Sequence, residues 1–358
     1  MKQPAHIFLG ANSGEGFFSL YEQLLAARLD DLLIIKGGPG CGKSSFMRTV
    51  AKALADVDEE IIYVNCSGDP DSLDGVLLPA LKTGLVDGTS PHVLEPTYTV
   101  ANERYVDLTR FYDVAAAKAR RDEIIAHSDA YRAAYAEAYH ILRAVDAVSA
   151  ERRSAVHAAM DFDRLNRRID ALVRRELRGR GTQRGRIDRA FLGGMTHKGE
   201  LCRYDTVQAL CPKVCVLADS FGAASAGLSR AAASAASAGY DVLLCPNPDR
   251  PRETMHVLIP AAGLALVTET PRVPFEGEAY RRIRVDAIAT EKLTRAERSR
   301  LRFAGRMERS LRDEAMEALR RAKAEHDELE AAYNPCVDFE GVYALAAEEA
   351  RRLLTYRK

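Results

Sequence analysis

Apolar and polar positions follow two regimes along the chain, and the pair of regimes occurs twice. Leu32-Leu33-Ile34-Ile35-Lys36 is a short apolar run with the look of a buried strand, and Phe46 to Leu54 has helical spacing and good helix formers. Glu60-Ile61-Ile62-Tyr63-Val64-Asn65-Cys66 reads as a second strand from its β-branched and aromatic content, and Lys82-Thr83-Gly84-Leu85-Val86 as a third. Ser67 to Gly75, between them, reads as a polar, turn-rich loop. From about Glu103 to Arg178 the spacing becomes helical, with alanine, arginine and acids around spaced Ile, Leu, Tyr and Val. This predicts helical hairpins or coiled arms with solvated outer faces. A strand, loop and helix return at Val214–Ala238, and a second arm at about 287–332, where Leu293, Leu301, Leu311 and Leu319 recur among dense charges.

Particular residues recur in the same order. Phe8-Leu9-Gly10 is echoed by Phe191-Leu192-Gly193, Leu77-Leu78-Pro79-Ala80 by Leu258-Ile259-Pro260-Ala261, and Met160-Asp161-Phe162-Asp163 by Val337-Asp338-Phe339-Glu340. The spacing between counterparts is 183, 181 and 177 residues, so an internal duplication of about 180 residues is expected. The fold class expected is α/β: two P-loop NTPase-type, three-layer α/β/α domains, residues 1–180 and 187–358, each with a helical-hairpin addition. The recurring Asn12 to Gly16 segment reads as a structural corner.

The strongest chemistry lies between the first strand and the first helix. Residues 37–44 read Gly37-Gly38-Pro39-Gly40-Cys41-Gly42-Lys43-Ser44, matching G-x-x-x-x-G-K-[ST] at every fixed position, with Ser45 following. Glycines let the backbone approach a ligand, and successive N–H groups at a helix N-terminus form an anion nest. Gly37 to Ser45 is therefore the expected ATP-binding segment, with Lys43 on the β and γ phosphates and Ser44 on Mg²⁺. Asp87, closing the third strand, is expected to hold Mg²⁺ beside Ser44 and to share the catalytic role with Lys43. Glycine follows Asp87, so the glutamate that polarises water in many motor-type ATPases is missing from that place. That leans toward a kinase-like or slow, switch-like enzyme. Asp69, Asp71 and Asp74 are candidates for an acceptor site, or for positioning water through Asp74, against plain turn chemistry. His92 is placed either near the γ-phosphate or on a surface loop, and Arg104 and Arg110 are the nearest candidates for an arginine finger. In the second copy, Asp219 is expected to replace Gly37, Ser225 to replace Lys43 and Ala226 to replace Ser44. That copy should have lost its nucleotide chemistry.

The bulk properties narrow the class. At 358 residues two domains are expected. Lys plus Arg and Asp plus Glu number 51 each, so charge gives no reason to expect nucleic acid or an acidic membrane surface as partner. Arginines gather between Arg164 and Arg189, where 178–186 reads as a solvated joint without an aromatic residue to stack a base. No apolar run approaches the ~20 residues that span a bilayer. MKQPAHIFLGANSG lacks the apolar core of a signal peptide. Seven scattered cysteines read as free thiols rather than a zinc site, and a cytoplasmic location is expected.

IIKGGPGCGKSSFMRTVAKAL, followed by CSGDPDSLDGVLLPALKTGLVDGTSPHVLEP, resembles an uncharacterised family of bacterial tandem P-loop ATP-binding proteins. FLGANSGEGFFSLYEQ and the late DFEGV extend the resemblance over nearly the whole chain. It implies two fused P-loop domains, ATP binding and hydrolysis, with Gly37 to Ser45 as the nucleotide site. In many members the second loop keeps its glycines, Lys and Ser; this chain departs from them at Asp219 to Ala226. The expected function is ATP binding and Mg²⁺-dependent hydrolysis in the first half, with the second half a structural or regulatory partner. The alternatives are a small-molecule or nucleotide kinase, with its second substrate at Asp69–Asp74, and an ATP-gated adaptor for a protein partner.

Overall fold

The computed structural model describes residues 4–25, 28–58, 60–177, 179, 183–288 and 293–355. In the first half, β1 (Ala5–Ile7) precedes a hairpin of β2 (Gly10–Ser13) and β3 (Gly16–Ser19). The strand predicted before the glycine loop is β4 (Asp31–Lys36), and the helix after the loop is α1 (Lys43–Leu54). Then come β5 (Ile62–Asn65), β6 (Leu73–Leu78), β7 (Thr83–Asp87) and β8 (Glu103–Asp107). The helices α2 (Val114–Ala119), α3 (Arg121–His157) and α4 (Phe162–Glu176) close this half. The second half holds β9 (Ile187–Arg189), the hairpin β10 (Gly193–Thr196) and β11 (Gly199–Cys202), α5 (Tyr204–Leu210), β12 (Lys213–Ala218) and α6 (Ser225–Ser237). It continues through β13 (Val242–Pro246), β14 (Thr254–Ile259), β15 (Leu264–Glu269), β16 (Arg281–Arg284), α7 (Arg295–Tyr333) and α8 (Phe339–Leu354).

The strands form two six-stranded mixed sheets. The first runs β8-β4-β7-β6-β5-β1 and the second β16-β12-β15-β14-β13-β9. In both, the second strand in that order lies parallel to its two neighbours, and the fourth is antiparallel to the strands on either side. The two halves meet where Phe8 and Phe191 exchange backbone hydrogen bonds of 2.8 Å in each direction. Asn12 Nδ2 also donates to the Met195 carbonyl, at 3.2 Å.

Period-two burial in β4 explains the two faces of the first sheet. Leu33 and Ile35 join a cluster with Phe46, Met47 and Leu54 of α1 and with Val342, Ala346 and Leu353 of α8. Leu32 and Ile34 point the other way, into a cluster with Phe8, Tyr21 and Phe191. The second sheet is built likewise, with Cys215 and Leu217 of β12 against α6 and against Leu165, Ile169 and Leu172 of α4. Each helix that follows an arm thus packs on the sheet of the opposite sequence half. The long helices α3 and α7 lie side by side and antiparallel: Arg152 pairs with Glu308, and Glu137 with Arg321 at 2.7 Å.

Two expectations are corrected. Residues 73–75 are strand rather than loop, because β6 is an antiparallel insert between β5 and β7. Gly75 permits it, since a Cβ there would lie 3.0 Å from the Leu85 carbonyl oxygen. Residues 103–107 are strand rather than helix: β8 pairs with β4 and buries Val106.

Candidate functional site

The loop between β4 and α1 leaves the parallel centre of the first sheet at the C-terminal edge of β4, the place where open α/β sheets bind ligands. Gly40 and Gly42 have φ of +67° and +84°, the left-handed region that glycine enters without steric cost. At Gly40 there is no room for a Cβ either, which would lie 3.2 Å from Cα of Glu330. Lys43 Nζ donates to the carbonyls of Gly37 (3.0 Å) and Gly38 (2.8 Å) and stands 3.6 Å from Asp87 Oδ2. Ser44 Oγ accepts the Leu73 N–H at 3.1 Å. The Pro39 carbonyl accepts the Tyr112 hydroxyl at 3.1 Å. Cys41 is packed inward, and burial pushes its thiol pKa up.

The loop borders a cavity of about 410 Å³, into which Gly40, Lys43, Ser44, Ser45 and Asp87 all face. Asp87 is oriented by Thr89, whose N–H (2.9 Å) and hydroxyl (2.6 Å) both donate to Oδ1. Behind it lies a buried set whose pairing the sequence did not show. Asp74 accepts the Tyr21 hydroxyl at 3.0 Å and lies 3.5 Å from His92 Nε2, while His92 Nδ1 is 2.9 Å from the Asp87 carbonyl oxygen. Burial opposes both charges of this pair, yet mutual attraction outweighs it: Asp74 is held below the usual carboxylate range and His92 above the usual imidazole value. His92 is therefore an interior residue and not a surface one. Ligand atoms of Asp74, Asp87 and His92 all lie within 4.8 Å of one another.

The far wall comes from the helical arms. Tyr131 and Tyr135 of α3 and Lys323, His326 and Glu330 of α7 border the cavity. Glu330 Oε1 accepts the Gly40 N–H at 3.2 Å, so a loop amide already holds an anionic oxygen. Asn334 adds its side-chain amide, which donates to the carbonyls of Gly40 (3.1 Å) and Glu330 (3.2 Å). These arm residues were not legible in the sequence, because an isolated Lys or Glu in a charged helix carries no sign of the element it will face. The two arginines singled out for the γ-phosphate are committed elsewhere. Arg104 joins Asp31 (3.2 Å) to Glu349 (2.7 Å), and Arg110 lies over the Phe111 ring at 4.9 Å. Asp69 and Asp74 line the cavity, whereas Asp71 is ion-paired with Lys198.

The second loop, between β12 and α6, is closed by its own side chains. Asp219 accepts the N–H groups of Phe221 (3.3 Å), Ala223 (3.0 Å) and Ala224 (2.8 Å). Its carboxylate takes the anion position of the loop. The register differs from the expected one by a residue. Ser225 Oγ accepts the Thr254 N–H at 3.0 Å, as Ser44 accepts that of Leu73, so Ser225 stands in the place of Ser44 and not of Lys43. Counted from the strand to that serine the second segment is one residue shorter, 219–224 against 37–43, and Ala224 precedes the serine where Lys43 does in the first. The neighbouring cavity is only about 80 Å³. Arg312 extends into it, bound to Asp249 (2.5 Å) and Glu308 (3.3 Å), and Glu308 is paired again with Arg272 at 3.0 Å.

Compared with family models, curated proteins and solved structures, the chain gives no match. No helix among the described residues is long and apolar enough to cross a membrane. All seven cysteines are free. Residues 178 and 180–182 of the basic joint lie outside the described residues, and Arg186, at its end, pairs with Asp241 at 3.3 Å.

Proposed function

We propose that the chain is a duplicated P-loop ATPase that binds and hydrolyses ATP in its first half. The second half is a copy that keeps the sheet and has lost the nucleotide. The observation that carries this reading is the contrast between equivalent loops: one has Lys43 beside a 410 Å³ cavity, the other has Asp219 folded onto its own amides beside an 80 Å³ cavity. In this reading the division of the sequence near residues 180–187 is that of two domains whose last helices have changed places.

The donors facing the cavity are hard oxygens, the Ser44 hydroxyl and the Asp87 carboxylate, which suit Mg²⁺. Bound there, Mg²⁺ would neutralise charge on the β and γ phosphates. Lys43 exchanges the carbonyls of Gly37 and Gly38 for phosphate oxygens. Thr89, which holds Asp87 Oδ1, would keep that carboxylate available to the ion, and Asp74, fixed by Tyr21 and His92, would offer a carboxylate to the water or acceptor.

Titration calorimetry with ATP and magnesium should give one nucleotide per chain. Lys43→Ala removes a charged hydrogen-bond donor worth about 1.5–3 kcal/mol. It should therefore weaken ATP about 10- to 150-fold and abolish phosphate release. Equal binding by wild type and variant, or two nucleotides per chain, overturns the reading. Transfer of label to an added nucleoside or metabolite, in place of phosphate release, replaces hydrolysis by kinase chemistry with the acceptor at Asp69–Asp74.

A further inference from the structure

Lys323 belongs to the second half but faces the loop of the first. It is half-buried on α7, with Nζ 3.5 Å from Asp69 Oδ2 and an ion pair to Asp327. Among the described residues, the basic side chains bordering the cavity are Lys43, Lys323 and His326. Lys43 comes from the floor, under the loop; Lys323 comes from the opposite wall. Burial works to discharge Lys323, but the hydrogen bond it donates to Asp327 and the charge of Asp69 more than offset it, so the ammonium is kept.

The second site supplies a comparison within the molecule. The 177-residue spacing of the arms puts Asp146 in the place of Lys323, and the 181-residue spacing of the sheets puts Arg250 in the place of Asp69. Asp146 and Arg250 line one small cavity there. The charges of the Lys323–Asp69 pair are thus exchanged in the second half.

We propose that Lys323 is the cation that meets the terminal phosphate, delivered to the first half's loop by the second half's arm. The assignment rests on the ATPase reading above. In the reaction, a water oxygen forms a bond to the γ-phosphorus. The bond from that phosphorus to the β–γ bridging oxygen breaks, its electron pair stays on ADP, and the water proton leaves to solvent. No atom changes oxidation state. Lys323 makes and breaks no covalent bond; its ammonium leaves Asp69 for the γ-phosphate oxygens, where negative charge is redistributed in the transition state.

The test measures turnover, ATP and ADP affinity, and affinity for ADP with aluminium fluoride. It uses wild type, Lys43→Ala, Lys323→Ala and Lys323→Arg, with melting temperatures recorded for each. Lys323→Ala should lower kcat by about 100-fold or more. Its ADP affinity should stay within about three-fold, while the fluoride complex loses most of its added affinity. Lys323→Arg should recover part of the rate. Unchanged kcat in Lys323→Ala, while Lys43→Ala is inactive, overturns the assignment and leaves the ATPase reading standing. A parallel fall in ADP affinity, ATP affinity and melting temperature reassigns Lys323 to structure. A wild type that binds no ATP overturns both.

Discussion

Gly37 and Asp219 show how much one side chain decides. Both follow the strand that leads into a glycine-bearing loop, but glycine has no side-chain acceptor to offer the loop's amides. Asp219 meets three N–H groups itself, within 3.3 Å. The strand, loop and helix around Gly37 to Ser44 could be read directly because they are continuous in sequence. Asp74 and His92 could not be joined that way, since their pairing depends on β6 lying beside β7. That pair makes a pH prediction. The His92 pKa is raised above its ordinary 6.5, so its stabilisation is complete below that value and is lost as pH rises through the folded one. The Asp74 pKa is lowered below 3.8, so its contribution is present above that value and is lost as pH falls through the folded one. Urea unfolding of the nucleotide-free protein should show stability declining as pH climbs above 6.5. In His92→Asn that part of the slope should vanish. A variant slope identical to wild type would mean that His92 is neutral in the fold.

The elements were legible where one periodicity ran uninterrupted. β4, α1, β7 and α6 lie within a few residues of their expected places, because continuous apolar runs and helical spacing leave little ambiguity. β6 was hidden by Asp74 and Gly75, turn residues used here in a strand. β8 was hidden by Glu103 and Arg104, helix formers on an edge strand. No pattern in the sequence announces that α4 covers α6 and that α8 covers α1, because an amphipathic helix specifies an apolar face and not its partner. The exchange has different consequences on its two sides. Leu353 of α8 is buried against α1, and Phe339 at the start of the same helix borders the cavity. Leu165 of α4 is buried equally, against α6. Each truncation to alanine should cost about 2–5 kcal/mol of unfolding free energy. Leu353→Ala should also weaken ATP binding, and Leu165→Ala should not. Calorimetric melting with ATP titration separates the two; a loss of affinity in both variants would show that the halves respond as one unit.

At the scale of the whole molecule, the antiparallel pair α3 and α7 ties the two sites together. The C-terminal end of α7 touches the first loop through Glu330 and Asn334, and about five to six turns earlier the same helix reaches the second loop's cavity with Glu308 and Arg312. Arg312 is buried among Asp249, Glu200 and Glu308, so moving that part of the helix would pull a buried charge away from its partners, at a large penalty. At the other end the helix meets the first loop through Glu330. Glu330 gives Gly40 one carboxylate hydrogen bond, and a phosphate arriving at the loop is a second anion competing for that N–H. In the ATPase reading, nucleotide binding therefore has to release Glu330, and the release is transmitted along a helix anchored in the other half. Glu330→Gln removes the competing charge and keeps the shape. ATP affinity should rise by about 1 kcal/mol, roughly five-fold, the scale of an anion at a helix N-terminus. Hydrogen exchange should show residues 323–333 changing protection on ATP addition in the wild type and changing less in the variant. An unaltered affinity would mean that phosphate and Glu330 occupy the loop together, and that the arm is a fixed wall of the site instead of an element displaced by the nucleotide.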